Sequence, residues 1–208
     1  MKLTLFTTCL FLAAASVCFS FEDEKVVNAA LKSFFKISAW NTPHWCSGDY
    51  IAVDSDWSDK VRPAFQSKLI SAISDTTLHR SENSMYQILQ RIRRRTGQES
   101  IHQTVEPLIP LKLLILDRRI LVGAEPYEHD SKLVGWVSGE QRIKTSAGKI
   151  GFVRASGRLA PPSFSKSGHY AYVSFETSWS IHSAEIQFFL ERRNNDWHVI
   201  VVHPVFFV

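Results

Sequence analysis

Tyr170-Ala171-Tyr172-Val173-Ser174-Phe175-Glu176 is the stretch on which the reading of this chain turns. Ala171, Val173 and Phe175 alternate with Tyr170, Tyr172, Ser174 and Glu176, which is the two-residue period of a β-strand. Ala184, Ile186, Phe188 and Leu190 repeat the alternation against Glu185, Gln187 and Glu191. A third run, residues 197–203, follows the turn chemistry of Asn194-Asn195-Asp196. Three consecutive runs joined by short turns predict an antiparallel meander, one face packed and the other partly wet.

Working outward from the meander, the chain changes character. Residues 108–116 and 120–122 are apolar runs suited to buried strands, although Pro110 interrupts the first. Residues 133–137 and 143–154 follow, each punctuated by glycine. Further upstream the period is helical. Val27, Ala30, Leu31, Phe34 and Ile37 form one stripe between residue 23 and about residue 40, where Asn41-Thr42-Pro43 ends it. Val61, Phe65, Leu69 and Ile73 predict a second helix over 58–73, with Pro63 in its first turn. Met85, Ile88, Leu89 and Ile92 predict a third, from Ser81 or Ser84 to Arg95, which Gly97 is placed to terminate. Helices first and strands last mean an α+β fold: N-terminal helices (21–97) packed on a curved antiparallel sheet (mainly β, 108–208), as a single domain over 21–208.

The first 20 residues are set apart from that fold. Lys2 supplies a basic start, residues 3–15 carry no charge, and small residues (Ala13, Ala14, Ala15, Ser16, Ser20) follow. That is the layout of a secretory signal peptide, and Glu22-Asp23-Glu24 arrives too soon for a membrane-spanning helix, which needs about 20 apolar residues. The expected location is periplasmic or secreted, with no transmembrane segment in the mature chain. Removal of 1–20 takes Lys2 with it and lowers the formal charge from +4 to +3. It also leaves Cys46 as the one cysteine, so no internal disulfide can form and the core must supply the stability. The flanks of Cys46 (Trp45, Ser47, Gly48) hold no base or cation to activate a thiol, which favours a passive role. With 14 Phe, 6 Trp and 5 Tyr the chain is too aromatic for disorder, and its mild charge falls well short of a nucleic-acid-coating tail.

The C-terminal third carries a resemblance. Residues 151–158, then Gly168-His169-Tyr170-Ala171-Tyr172-Val173-Ser174-Phe175-Glu176-Thr177-Ser178, Ala184-Glu185-Ile186 and Asn195-Asp196-Trp197-His198-Val199, resemble a family of uncharacterised exported bacterial domains. The match covers about residues 150–200. Its fold is similar to the cone-shaped nuclear transport factor two-like folds, which implies helices covering a curved sheet around a cavity. That fold hosts enzymes, binders and immunity proteins alike, so the resemblance implies no activity.

Asp54, Asp56 and Asp59 superficially resemble a calcium loop, but Asp59 stands where that loop needs glycine and Phe65 where it needs glutamate. They are better read as the approach to a helix, with Ser58 or Asp59 at its N-terminus. His198 and His203 lie five apart on one strand, so simple alternation points them to opposite faces and no metal site is expected. Ser33-Phe34-Phe35-Lys36 has the Ser-x-x-Lys spacing without its companion motifs, and no phosphate-cradling glycine loop exists. A cone cavity could run acid–base chemistry if Glu176, Tyr172 and His198 converged within it. Arg91, Arg94 and Arg95, with Arg93, form a basic cluster at a helix C-terminus, where the helix dipole favours cations. Export argues against nucleic acid, which leaves an acidic partner surface or an anionic membrane leaflet as the functional reading, beside a simple solvated face. The leading expectation is an exported, non-catalytic binding or interaction protein, envelope-associated or immunity-like, engaging a protein, an envelope component or a small apolar ligand without a cofactor. The alternative is a metal-independent acid–base cavity enzyme, an isomerase or hydrolase.

Overall fold

A computed structural model describes residues 22–36, 50–58, 61–76, 78, 83–97, 108–114, 117–123, 141–144, 150–179 and 182–207. The expected leader, Cys46, the run at 133–137 and the expected stretch of the first helix beyond residue 36 lie outside these residues. Helix α1 covers residues 22–34. It is followed by β1 (Tyr50–Val53), α2 (Phe65–Ser74), α3 (Asn83–Thr96), a 3-10 turn (Leu111–Leu113) and β2 (Ile120–Val122). The remaining strands are β3 (Gln141–Lys144), β4 (Ile150–Leu159), β5 (Ser163–Phe164), β6 (Tyr170–Trp179), β7 (His182–Arg193) and β8 (Asp196–Phe207).

The meander forms as its alternation predicts. β6 pairs antiparallel with β7, and β7 with β8. Asn194 and Asn195 make the second turn with φ of 51° and 65°, the type I′ geometry whose twist matches antiparallel strands. Asparagine tolerates that left-handed conformation better than most residues.

The wider sheet departs from expectation. Its order is β2-β1-β4-β6-β7-β8, with β3 paired to β4 and β5 to β6. β1 runs parallel to both β2 and β4, so the sheet is mixed rather than antiparallel. It is open, neither closed nor strongly curved, and this corrects the cone-like architecture that the resemblance implied. A parallel pair cannot be joined by a hairpin and needs a crossover. Between β1 and β2 that crossover contains α2 and α3.

The helices consequently occupy both faces of the sheet. On one face, Val26, Val27, Ala30, Leu31 and Phe34 of α1 pack against Ala171, Val173, Phe175, Ile186, Phe188 and Leu190. On the other, Phe65, Leu69, Leu89 and Ile92 of α2 and α3 pack against Tyr170, Tyr172, Phe189 and Val201. β6 and β7 are therefore buried on both sides where a half-wet pair was expected. Where a cone would enclose its cavity, Phe34 meets Phe175 edge-on with ring centroids 5.3 Å apart.

Three local expectations are also corrected. Helix α2 starts at Phe65, not near Ser58, because the chain before Pro63 is steered to extended backbone; Val61 is left exposed. Ser58 therefore does not cap α2, whose N-cap is Ala64 with no side-chain hydrogen bond; Asp59 lies outside the described residues. Leu111 to Leu113 is a 3-10 turn and not part of a strand, since Pro110 supplies no N–H for a ladder.

Two buried polar ties fasten α1. Arg62 forks onto both carboxylate oxygens of Asp23 and also donates to the Pro162 carbonyl at 2.7 Å. Trp197 Nε1 donates to Glu22 Oε2 at 2.6 Å, while Arg192 lies 3.3 Å from Glu22 Oε1.

Candidate functional site

Alternation places Glu176 and Tyr172 on the α2–α3 face, four residues apart on β6, or about 13 Å. Tyr172 is fully buried, its ring centroid 5.2 Å from that of Phe189. Glu176 is exposed; its cross-strand neighbours are Arg158 on β4 and Glu185 on β7. His198 is exposed near the far end of the sheet, opposite Glu191. Six residues of strand, about 20 Å, separate the Glu176 and Glu191 ends of the ladder, since Glu191 pairs with Tyr170. The three candidate acid–base residues are thus not brought to one point.

Arg158 is occupied by another carboxylate. Its Nε donates to Asp54 Oδ2 at 2.7 Å, and the guanidinium holds the Asp54 carboxyl below its ordinary range. Asp54 is therefore paired at the end of β1. Among the described residues no group of three His, Cys, Asp or Glu could hold a metal ion.

The two C-terminal histidines correct the simple alternation. Their partners on β7 are Glu191 for His198 and Gln187 for His203, two residues on the same side of that strand. A bulge between Phe189 and Leu190 in the pairing absorbs one residue of β8 and reverses the parity. His203 is buried, with Nδ1 3.3 Å from Gln187 Oε1 and Nε2 3.1 Å from Asp75 Oδ2 beyond the end of α2. Burial holds its imidazole below the ordinary range, against the upward pull of Asp75 and Glu185.

A pH dependence follows. A lowered folded-state pKa means that the unfolded chain takes up the proton first, so this contribution is complete above about pH 6.5 and is lost as pH falls through the folded value. Unfolding of wild type and His203→Gln between pH 7.5 and 5 should show a shallower acid-side loss in the variant. Equal slopes would mean that His203 titrates alike in both states.

The arginine cluster occupies an exposed helix face. Helix α3 contains no acidic residue among its 14 positions. Ser84, Gln87, Arg91 and Arg94 are exposed at helical spacing along one stripe. Arg95 is tied down: Nη1 donates to Tyr170 Oη at 2.7 Å and lies 3.5 Å from Glu191 Oε1. Arg193 shares that carboxylate, 2.6 Å from Glu191 Oε2. Among the described residues neither Arg91 nor Arg94 forms an ion pair, so they are the cations this face presents.

A second feature was not visible in the sequence. An open groove of about 800 Å³ runs between α1 and the start of β8. It is lined by Lys25, Asn28, Ala29, Lys32 and Ser33 of α1, by Lys36 just beyond that helix, by Asp117 ahead of β2, and by Asp196, Trp197, His198 and Val199. Comparison with protein-family models, curated proteins and solved structures returns no match to this chain. The resemblance over residues 150–200 therefore finds no support, in family or in cone-shaped fold.

Proposed function

We propose that this chain is an exported, non-catalytic binding protein that docks an acidic partner surface. The observation that carries the reading is the α3 face, where exposed Arg91 and Arg94 project from a helix without one acidic residue. Unpaired surface arginines are suited to carboxylate recognition, because the guanidinium fork matches a carboxylate bidentately. Two further facts favour binding over cavity chemistry. The space between α1 and the sheet is filled by Phe34, Phe175 and Phe188, each 1% exposed or less. Glu176, Tyr172 and His198 are too far apart to act on one bond. No described helix is long and apolar enough to cross a membrane.

The test is charge reversal. Arg91→Glu combined with Arg94→Glu should weaken capture by immobilised polyglutamate about tenfold at low ionic strength. The wild-type signal should itself fade as salt shortens the Debye length from about 30 Å at 0.01 M to 8 Å at 0.15 M. Equal capture by both proteins would remove the α3 face from the account.

A further inference from the structure

The groove beside β8 has the geometry of a strand-docking site. β8 is the last strand of the sheet, so one side of its backbone has no neighbour among the described strands. The two-residue turn fixes which groups face outward. Arg193 and Asp196 flank it and form a hydrogen-bonded pair; pairing then alternates, leaving Trp197 unbonded to Arg192, His198 bonded to Glu191, and Val199 unbonded to Leu190. The Arg192 N–H confirms this phase, because it turns the other way and donates to the His169 carbonyl at 2.9 Å. The N–H and C=O groups of Trp197 and Val199 therefore point out of the sheet.

The groove reaches that same edge strand. Four consecutive residues, Asp196 to Val199, line it; a site on one face of a strand would take only alternate ones. Natural edge strands are blunted by proline, bulges or charge. β8 carries bulges after Val199 and after Pro204, and the proline itself, which blunts the far half and leaves the stretch beside the groove without a strand partner among the described residues. The opposite edge, β2, is only three residues long.

The opposing wall sets the charge of the occupant. Lys25 is engaged at the hairpin end, where its Nζ donates to the Asn195 carbonyl at 3.1 Å, and Glu24 and Asp196 lie at that end too. Two helical turns on, Lys32 is exposed on the same side, and Lys36 follows just beyond α1. The acid nearest them, Asp117, is already held by Arg119, with Nη2 to Oδ2 at 3.1 Å. That end of the groove is basic.

We infer that the groove between α1 and the free edge of β8 binds an extended acidic segment of a partner protein. The segment adds a strand to Trp197 and Val199 and sets its carboxylates against Lys32 and Lys36. Main-chain hydrogen bonds supply the affinity of such additions, and the flanking side chains the selectivity. This site is separate from the α3 face and does not depend on it.

The probe is a fluorescein-labelled heptapeptide of alternating valine and glutamate, titrated by anisotropy against the folded chain. Three companions accompany it: the same peptide with lysine for glutamate, one N-methylated on the amides of one edge, and one N-methylated on the other. Saturable binding is expected for the glutamate peptide, at least tenfold weaker for the lysine peptide and for one N-methylated form, but not both. Lys32→Glu with Lys36→Glu should weaken it about tenfold. Val199→Pro removes an outward N–H along with a side chain packed against the core; it should abolish binding, whereas Val199→Ala, which keeps the N–H, should retain it, with far-ultraviolet circular dichroism unchanged in both. Arg91→Glu with Arg94→Glu should leave it unchanged, so failure of the α3 reading and failure of this one are separable. No saturable binding, equal binding of the lysine peptide, or indifference to N-methylation on both edges would overturn the proposal. So would a concentration-dependent dimer in sedimentation that Val199→Pro dissolves, since a second copy would then occupy the edge.

Discussion

Trp197→Ala is expected to lower the free energy of unfolding by about 3–5 kcal/mol, the range for emptying a buried aromatic site. Trp197 is 6% exposed, and its ring centroid lies 5.7 Å from that of Phe164 on β5. The loss extends past the cavity. The indole N–H is one of two groups that hold Glu22 in place, the other being Arg192. Without it the first turn of α1 loses one of its polar ties to the rest of the fold. Trp197→Phe keeps most of the apolar volume and removes the donor, so it should recover more than half of the loss. Chemical denaturation of the three proteins measures both quantities. A loss under about 1 kcal/mol for Trp197→Ala would mean that this end of β8 does not anchor α1.

Arg62→Leu is the second large effect, also about 3–5 kcal/mol, because it strands a buried carboxylate rather than merely deleting a contact. The Asp23 side chain is 3% exposed and Arg62 is its fork partner. Burial already pushes the Asp23 carboxyl up, outweighing the downward pull of Arg62. Removing the guanidinium leaves only the upward influences. A carboxyl raised in the folded state contributes its stability below the unfolded value near pH 3.9 and loses it as pH rises through the folded value. The variant should therefore be most damaged at pH 7 and recover part of its deficit toward pH 4. Asp23→Asn in the Arg62→Leu background removes the buried charge and should restore stability at pH 7. A deficit that is flat with pH would place Asp23 outside the core.

Both ties were out of reach of the sequence for a common reason. Glu22 and Asp23 belong to an acidic trio that reads only as the flank of an expected leader, while their partners lie 175 and 39 residues away. The meander was legible because alternation and turn chemistry are local, and β6, β7 and β8 pair with their sequence neighbours. β1 was not: it is four residues, Tyr50 to Val53, and its ladder partners lie near residues 120 and 155. Missing it meant missing the parallel pairs, the crossover and the two-sided burial. The cone-like picture came with the resemblance, and that gap left nothing to oppose it. Alternation also assumes an unbroken ladder, so one bulge sufficed to reverse the expected relation of His198 and His203.

The candidate sites divide along the same line. Arg91 and Arg94 were visible, since an acid-free helix terminus is a local pattern; the tie of Arg95 to Tyr170 was not, being a contact across 75 residues. The Glu176, Tyr172 and His198 combination failed to converge because it needed cross-strand register that a sequence does not carry. The groove could not be read at all. It exists only because β8 ends the sheet and α1 lies alongside it.

Binding at an open edge is the claim that reaches furthest beyond the sequence, and backbone amide exchange addresses it residue by residue. In the free protein, the outward N–H groups of Trp197 and Val199 are predicted to exchange quickly, while the N–H of His198 between them, bonded to Glu191, exchanges slowly. Addition of the valine–glutamate heptapeptide should slow Trp197 and Val199 and leave His198 as it was. Uniformly slow exchange across all three in the free protein would contradict the account, because the edge would then already be covered.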